Sequence, residues 1–114
     1  MKNDKNFFPY KPNKKTVIIG GTTAWSKQMK RLLPTVDIIP IDSKKNYKNI
    51  IANADVVWIN DKISHNYYGK ILNEARKQKK ELKYFYYNGP ESCVEQIYDY
   101  EILGKYYNKY LKSN

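Results

Sequence analysis

From Thr16 onward, short apolar runs alternate with longer stretches in which apolar residues recur every three or four positions. That is the pattern of a parallel sheet covered by helices. Four runs read as strands: residues 16–20, 36–40, 55–59 and 82–87. The first three are apolar almost without interruption, as burial on both faces requires. Lys83 interrupts the fourth, which suits the edge of a sheet. Between the first two strands, Trp25, Met29, Leu32 and Leu33 fall at helical spacing and Pro34 ends the helix. Between the third and fourth, Tyr68, Ile71, Leu72 and Ala75 fall at i, i+3, i+4 and i+7. Residues 46–53 form a short helix at most, with Tyr47, Ile50 and Ile51 as its apolar contacts. A last helix follows Gly89 and Pro90, with Glu91 and Glu95 near its start and Lys105, Lys109 and Lys112 near its end, the polarity that the helix dipole favours.

With right-handed crossovers, this βαβαβαβα order gives a small three-layer α/β domain with a parallel sheet in strand order 2-1-3-4, a flavodoxin-like or half-Rossmann arrangement. Residues 16–114 make one domain, and residues 1–15 read as a basic N-terminal arm. The predicted core is Val17, Ile18, Ile19, Ile38, Val56, Val57, Ile59, Ile71, Leu72 and Phe85. The apolar stripe of the last helix changes phase, from Val94, Ile97 and Tyr98 to Leu103, Tyr106, Tyr107 and Tyr110. One helix cannot bury both sets on one sheet, so either the chain bends near Gly104 or half the stripe faces a second subunit, as in a homodimer.

The charge changes the picture next. The 114 residues carry 21 Lys plus Arg against 11 Asp plus Glu, a formal net charge of +10. Only Arg31 and Arg76 of those basic residues are arginine, a bias that an AT-rich coding sequence also produces. Lysine lacks the planar fork of arginine, so its contacts favour phosphate attraction over the reading of base edges. Aromatic and basic residues interleave at Lys5 to Lys11 and again at Lys105 to Tyr110, the mixture that meets a nucleic-acid backbone and stacks on its bases. Lys11, Lys14, Lys15, Lys105, Tyr106, Lys109 and Lys112 are the candidate nucleic-acid contacts. No helix-turn-helix, ribonucleoprotein or zinc-finger pattern accompanies them. No run is apolar enough for a membrane span, and the first fifteen residues lack the apolar centre of a secretory signal, so the expected location is cytoplasmic. One cysteine can form no internal disulfide, and one cysteine with one histidine cannot assemble an ordinary structural zinc site; no metal and no cofactor are expected. Cys93 near the start of the last helix has Glu91 and Glu95 beside it, which oppose a lowered thiol pKa and favour a structural role.

In a parallel sheet of this order, ligands collect beyond the carboxyl ends of the first and third strands. The loops there contain Gly20, Gly21, Thr22 and Thr23 on one side and Asp61, Ser64 and His65 on the other. Adjacent glycines admit close backbone approach, threonine caps a helix or binds an anion, and histidine contacts an oxyanion or transfers a proton. The plain alternatives are a turn for the glycines, a helix cap for Ser64 and a surface position for His65. Neither a Walker A loop nor a dinucleotide fingerprint is present.

These residues resemble a bacterial family, domain of unknown function 2325, over about residues 16–97. The likeness lies in Val17-Ile18-Ile19-Gly20-Gly21, Ala54-Asp55-Val56-Val57, the Asp61, Ser64, His65 element, and Gly89 followed by Ser92. It implies a small Rossmann-like domain with a site around Asp61, Ser64 and His65, and no established reaction. The acidic or histidine residues that follow Gly-Gly in the family are replaced by Thr22, Thr23, Ala24 and Trp25, so no catalytic role passes to the first loop. Taken together, the sequence predicts a binding protein ahead of an enzyme, with nucleic acid as the leading partner and low sequence specificity. A nucleotide or phosphorylated small molecule in the crevice is the alternative, and a self-associating adaptor is the third.

Overall fold

The computed structural model describes residues 7–39, 47–60 and 65–104, with the backbone alone at 65–68. Eight elements alternate: β1 (Thr16–Gly20), α1 (Thr23–Leu32), β2 (Asp37–Ile39), α2 (Tyr47–Ala52), β3 (Val56–Asn60), α3 (His65–Lys77), β4 (Glu81–Tyr84) and α4 (Pro90–Leu103). The strands form one parallel sheet in the order β2-β1-β3-β4, the predicted topology. In register, Gly20 stands beside Asn60 and Val56 beside Glu81.

The near-continuous apolar strands are buried on both sides. One face carries Ile18, Ile38, Val56 and Trp58 against Met29 of α1, Leu33 just after it, and Cys93, Val94 and Ile97 of α4. The other carries Val17, Ile19, Ile39, Val57 and Ile59 against Ile51 of α2 and Ile71, Leu72 and Ala75 of α3. All ten predicted core residues are buried. Truncating one of the fully buried isoleucines to alanine should cost about 2–5 kcal/mol. Trp58, absent from that prediction, is the largest fully buried side chain and stacks on Phe85 with ring centroids 5.0 Å apart.

The element ends follow from local chemistry. Thr22 caps α1 by accepting the Trp25 N–H at its hydroxyl, 3.1 Å, and the Ser26 N–H at its carbonyl, 2.9 Å. Beyond Pro34, the Lys30 ammonium donates to the carbonyls of Pro34 and Val36, both at 2.9 Å, closing the turn into β2. The fourth strand ends at Tyr84, three residues before the sequence pattern placed it. Phe85 still donates to Ile59 O at 3.0 Å. Beyond that point β3 is finished, and a side chain of α4 replaces the missing neighbour: Gln96 accepts the Tyr86 N–H at 2.8 Å and donates to Tyr84 O at 3.1 Å. Pro90 lies in the first turn of α4, and Gly104 ends that helix in left-handed backbone, φ 67° and ψ 22°. The phase change of the apolar stripe therefore falls where the helix stops. Ile102 and Leu103 are exposed just before the stop.

Candidate functional site

Two edges of the sheet carry the predicted site residues. At the carboxyl edge, Gly20 and Gly21 both take left-handed backbone, φ 98° and 81°, conformations natural to glycine. A Cβ on Gly21 would also run into the Trp25 ring. The doublet thus meets two requirements at once, a sharp exit from β1 and room for the tryptophan. Trp25 reaches across this edge: its indole N–H donates to Asn88 O at 3.1 Å and its ring meets Phe85 edge-on, centroids 5.8 Å apart. The Thr22 hydroxyl is engaged in capping, while Thr23 is exposed in a first turn that has no acidic residue. Of the partner loop, Asp61 and Ser64 lie outside the described residues. His65 opens α3, and its side chain is likewise outside the description. The structure therefore brings β1 and β3 together at Gly20 and Asn60 as predicted, and the three-residue Asp61, Ser64, His65 element is not part of the observed geometry.

The arm leads to the opposite edge. Residues 7–15 run along the domain. Phe7 stacks on Tyr10 with centroids 5.5 Å apart and meets Tyr98 of α4 edge-on at 5.3 Å, and the Tyr10 N–H donates to Leu32 O at 2.9 Å. The Tyr10 hydroxyl donates to Glu101 at 2.7 Å, and the same carboxylate accepts the N–H groups of Asn13 and Lys14. Burial first, then the Glu101 hydrogen bond, pushes the Tyr10 phenol well above its ordinary range. The aromatic residues of this arm are thus packed on α4, and Lys11, Lys14 and Lys15 are the exposed groups.

Lys14 is held further. Its ammonium lies 3.4 Å from Glu81 and 3.2 Å from the Tyr100 hydroxyl, which donates to Glu81 at 2.5 Å. Lys83 completes the cluster, 3.6 Å from Glu81 and 4.8 Å from the centre of the Tyr100 ring. Burial acts to raise the Glu81 carboxyl, but the Tyr100 hydrogen bond and the two lysines together hold it below the ordinary carboxylate range. Lys14 and Lys83 are therefore both paired with Glu81, Lys14 while half-exposed. Lys105, Tyr106, Lys109 and Lys112 lie outside the described residues.

Other cations gather by topology. Helices that cross over a parallel sheet end beside the amino ends of the strands, so Lys30 and Arg31 of α1 and Arg76 and Lys77 of α3 finish at the same edge as Lys15 and Lys80. Lys80 is engaged, donating to Ala52 O at 3.1 Å. Arg76, Lys77 and Lys79 are exposed and form no ion pair among the described residues. Lys79 sits in left-handed backbone, φ 58°. The turn after α3 carries no motif, so nothing in the sequence singles this basic cluster out from the other surface lysines. A surface cavity of about 300 Å³ opens at this edge, lined by Lys15, Thr35, Asp37 and Asn53 among others.

Cys93 is buried, with its thiol donating to Tyr87 O at 3.3 Å, a structural placement. Among the described residues, no helix is long and apolar enough to cross a membrane, and no three His, Cys, Asp or Glu side chains gather as metal ligands. No family model, curated protein or solved structure matches the chain. The fold defines the protein as a small α/β domain of flavodoxin-like topology.

Proposed function

We propose that the protein binds nucleic acid through the phosphate backbone, with little sequence preference, at the basic edge of the sheet where α3 gives way to β4. The observation that carries this reading is the turn at residues 76–80. Three exposed cations there form no ion pair among the described residues, and one, Lys79, occupies a backbone conformation that costs a side-chain-bearing residue roughly 1–2 kcal/mol. Lysine at a glycine position is the kind of local compromise that a binding surface explains. On a chain of net charge +10, phosphates neutralised at this turn would release condensed counterions, which is the driving term in non-specific binding. Lys15 and Arg31 border the same edge.

The test is charge reversal. Lys77→Glu with Lys79→Glu should weaken binding of a random oligonucleotide by about tenfold or more in roughly 50 mM salt, while Lys27→Glu, on the exposed side of α1, serves as the comparison. Equal losses in both proteins would mean that overall charge, and not this turn, is responsible. A second reading, a small anionic ligand at the carboxyl edge, is favoured by the consecutive left-handed glycines and the acid-free start of α1. Thermal stabilisation by a nucleotide that survives the double lysine reversal would support it.

A further inference from the structure

Tyr86 and Tyr87 leave the carboxyl end of β4 half exposed, 51% and 46%, with ring centroids 5.2 Å apart at 67°. Exposed tyrosines on a loose loop would mean little, but this loop is fixed from below. Gln96, only 2% exposed, holds the Tyr86 N–H and the Tyr84 carbonyl with the two ends of its amide. The Cys93 thiol holds the Tyr87 carbonyl and the Trp25 indole holds that of Asn88. Three side chains fix backbone groups between residues 84 and 88 so that two large rings project into water. Rings presented on a fixed backbone lose little conformational freedom when a partner covers them.

We propose that Tyr86 and Tyr87 form a stacking platform for the bases of single-stranded nucleic acid. The inference rests on the backbone-binding reading above and names the form of nucleic acid that satisfies both features. Among the described residues, β4 is an edge strand with β3 as its one neighbour. Arg76, Lys77, Lys79 and Lys80 precede it and the tyrosines follow it, so cations and rings lie at opposite ends of one strand. Lys80 to Tyr86 spans roughly 20 Å of extended chain. A protein partner could cover the rings, but the net charge of +10 and the basic start of the same edge select a polyanion. Bases in a duplex are stacked on one another, whereas those of a single strand offer open faces to aromatic rings.

The experiment compares a labelled oligothymidylate with a duplex of equal length by fluorescence anisotropy, using the full chain. Tyr86→Ala with Tyr87→Ala should lower single-strand affinity by about tenfold or more and leave duplex affinity unchanged, while Tyr86→Phe with Tyr87→Phe should retain single-strand binding. Should the alanine variant fail to fold, the unaltered protein gives the same answer. Oligothymidylate should shift the ring-proton resonances of both tyrosines, and inorganic polyphosphate should not. Unchanged single-strand affinity in the folded alanine variant would overturn the platform while leaving backbone binding intact. So would a change in sedimentation alone, which would assign the rings to a protein contact. Failure of the unaltered protein to bind either oligonucleotide would overturn the backbone reading itself.

Discussion

Gln96→Ala tests how the end of the sheet is held. The native side chain is buried and makes two hydrogen bonds of good length to the backbone beyond the last β3–β4 pairing. Its loss leaves one N–H and one carbonyl without these partners. A buried unmet group costs about 1–3 kcal/mol, and the exposure of Tyr86 lets water reach part of this pair, so the sum should be about 2–4 kcal/mol. For a domain of this size, each kcal/mol lowers the melting temperature by about 4 °C, giving a fall of roughly 8–16 °C. Urea unfolding followed by the fluorescence of Trp25 and Trp58, with far-ultraviolet circular dichroism as a second probe, measures it directly. A loss below about 1 kcal/mol would refute the assignment of Gln96 as the clasp. Gln96→Glu adds a sign. A carboxylate still accepts from Tyr86 but faces the Tyr84 carbonyl, so burial and that oxygen raise its folded pKa above the unfolded value of about 4.3. Stability should be recovered below that value and lost as pH rises through the raised one.

Three further outcomes follow from the same geometry. Gly21→Ala should destabilise the fold by about 2–4 kcal/mol in thermal or urea unfolding, because left-handed backbone strain adds to a collision with the Trp25 ring. Lys79→Gly should stabilise it by about 0.5–1 kcal/mol, through relief of the positive φ, and weaken oligonucleotide binding in the same protein. The lowered pKa of Glu81 contributes stability that is present above its unfolded value and lost as pH falls through the folded one. Glu81→Gln should accordingly flatten the acid limb of a stability profile below about pH 5, and an unchanged limb would assign the acid sensitivity to another carboxylate.

The fold was legible because its main signals are local. Runs such as Val17-Ile18-Ile19 can only be strands buried on both faces, and the stripe of Ile71, Leu72 and Ala75 fixes α3. What escaped depends on distant partners. Phe7, Phe8 and Tyr10 have no period of their own, and their place is set by Tyr98 and Glu101 some ninety residues later. Nothing in the sequence pattern marks Gln96 as buried, and its burial depends on a strand ending twelve residues earlier. Trp58 lies in the unbroken apolar stretch Val56 to Ile59, so the pattern could not rank it above its neighbours. The glycine pair was found by its composition, whereas the reason for Gly21 is the Trp25 ring, which sequence spacing does not reveal. The basic turn carries no motif, and its place at the end of the sheet comes only with the order of the strands.

The salt dependence of binding to a random oligonucleotide between about 50 and 200 mM decides whether phosphate contacts hold the two together. If phosphate contacts drive association, log affinity falls linearly with log salt, with a slope of about −0.7 per phosphate for a single strand and −0.9 for a duplex. The slope should be shallower by at least about one contact in Lys77→Glu with Lys79→Glu. Binding that is undetectable at 50 mM, or whose affinity is independent of salt, would contradict the account.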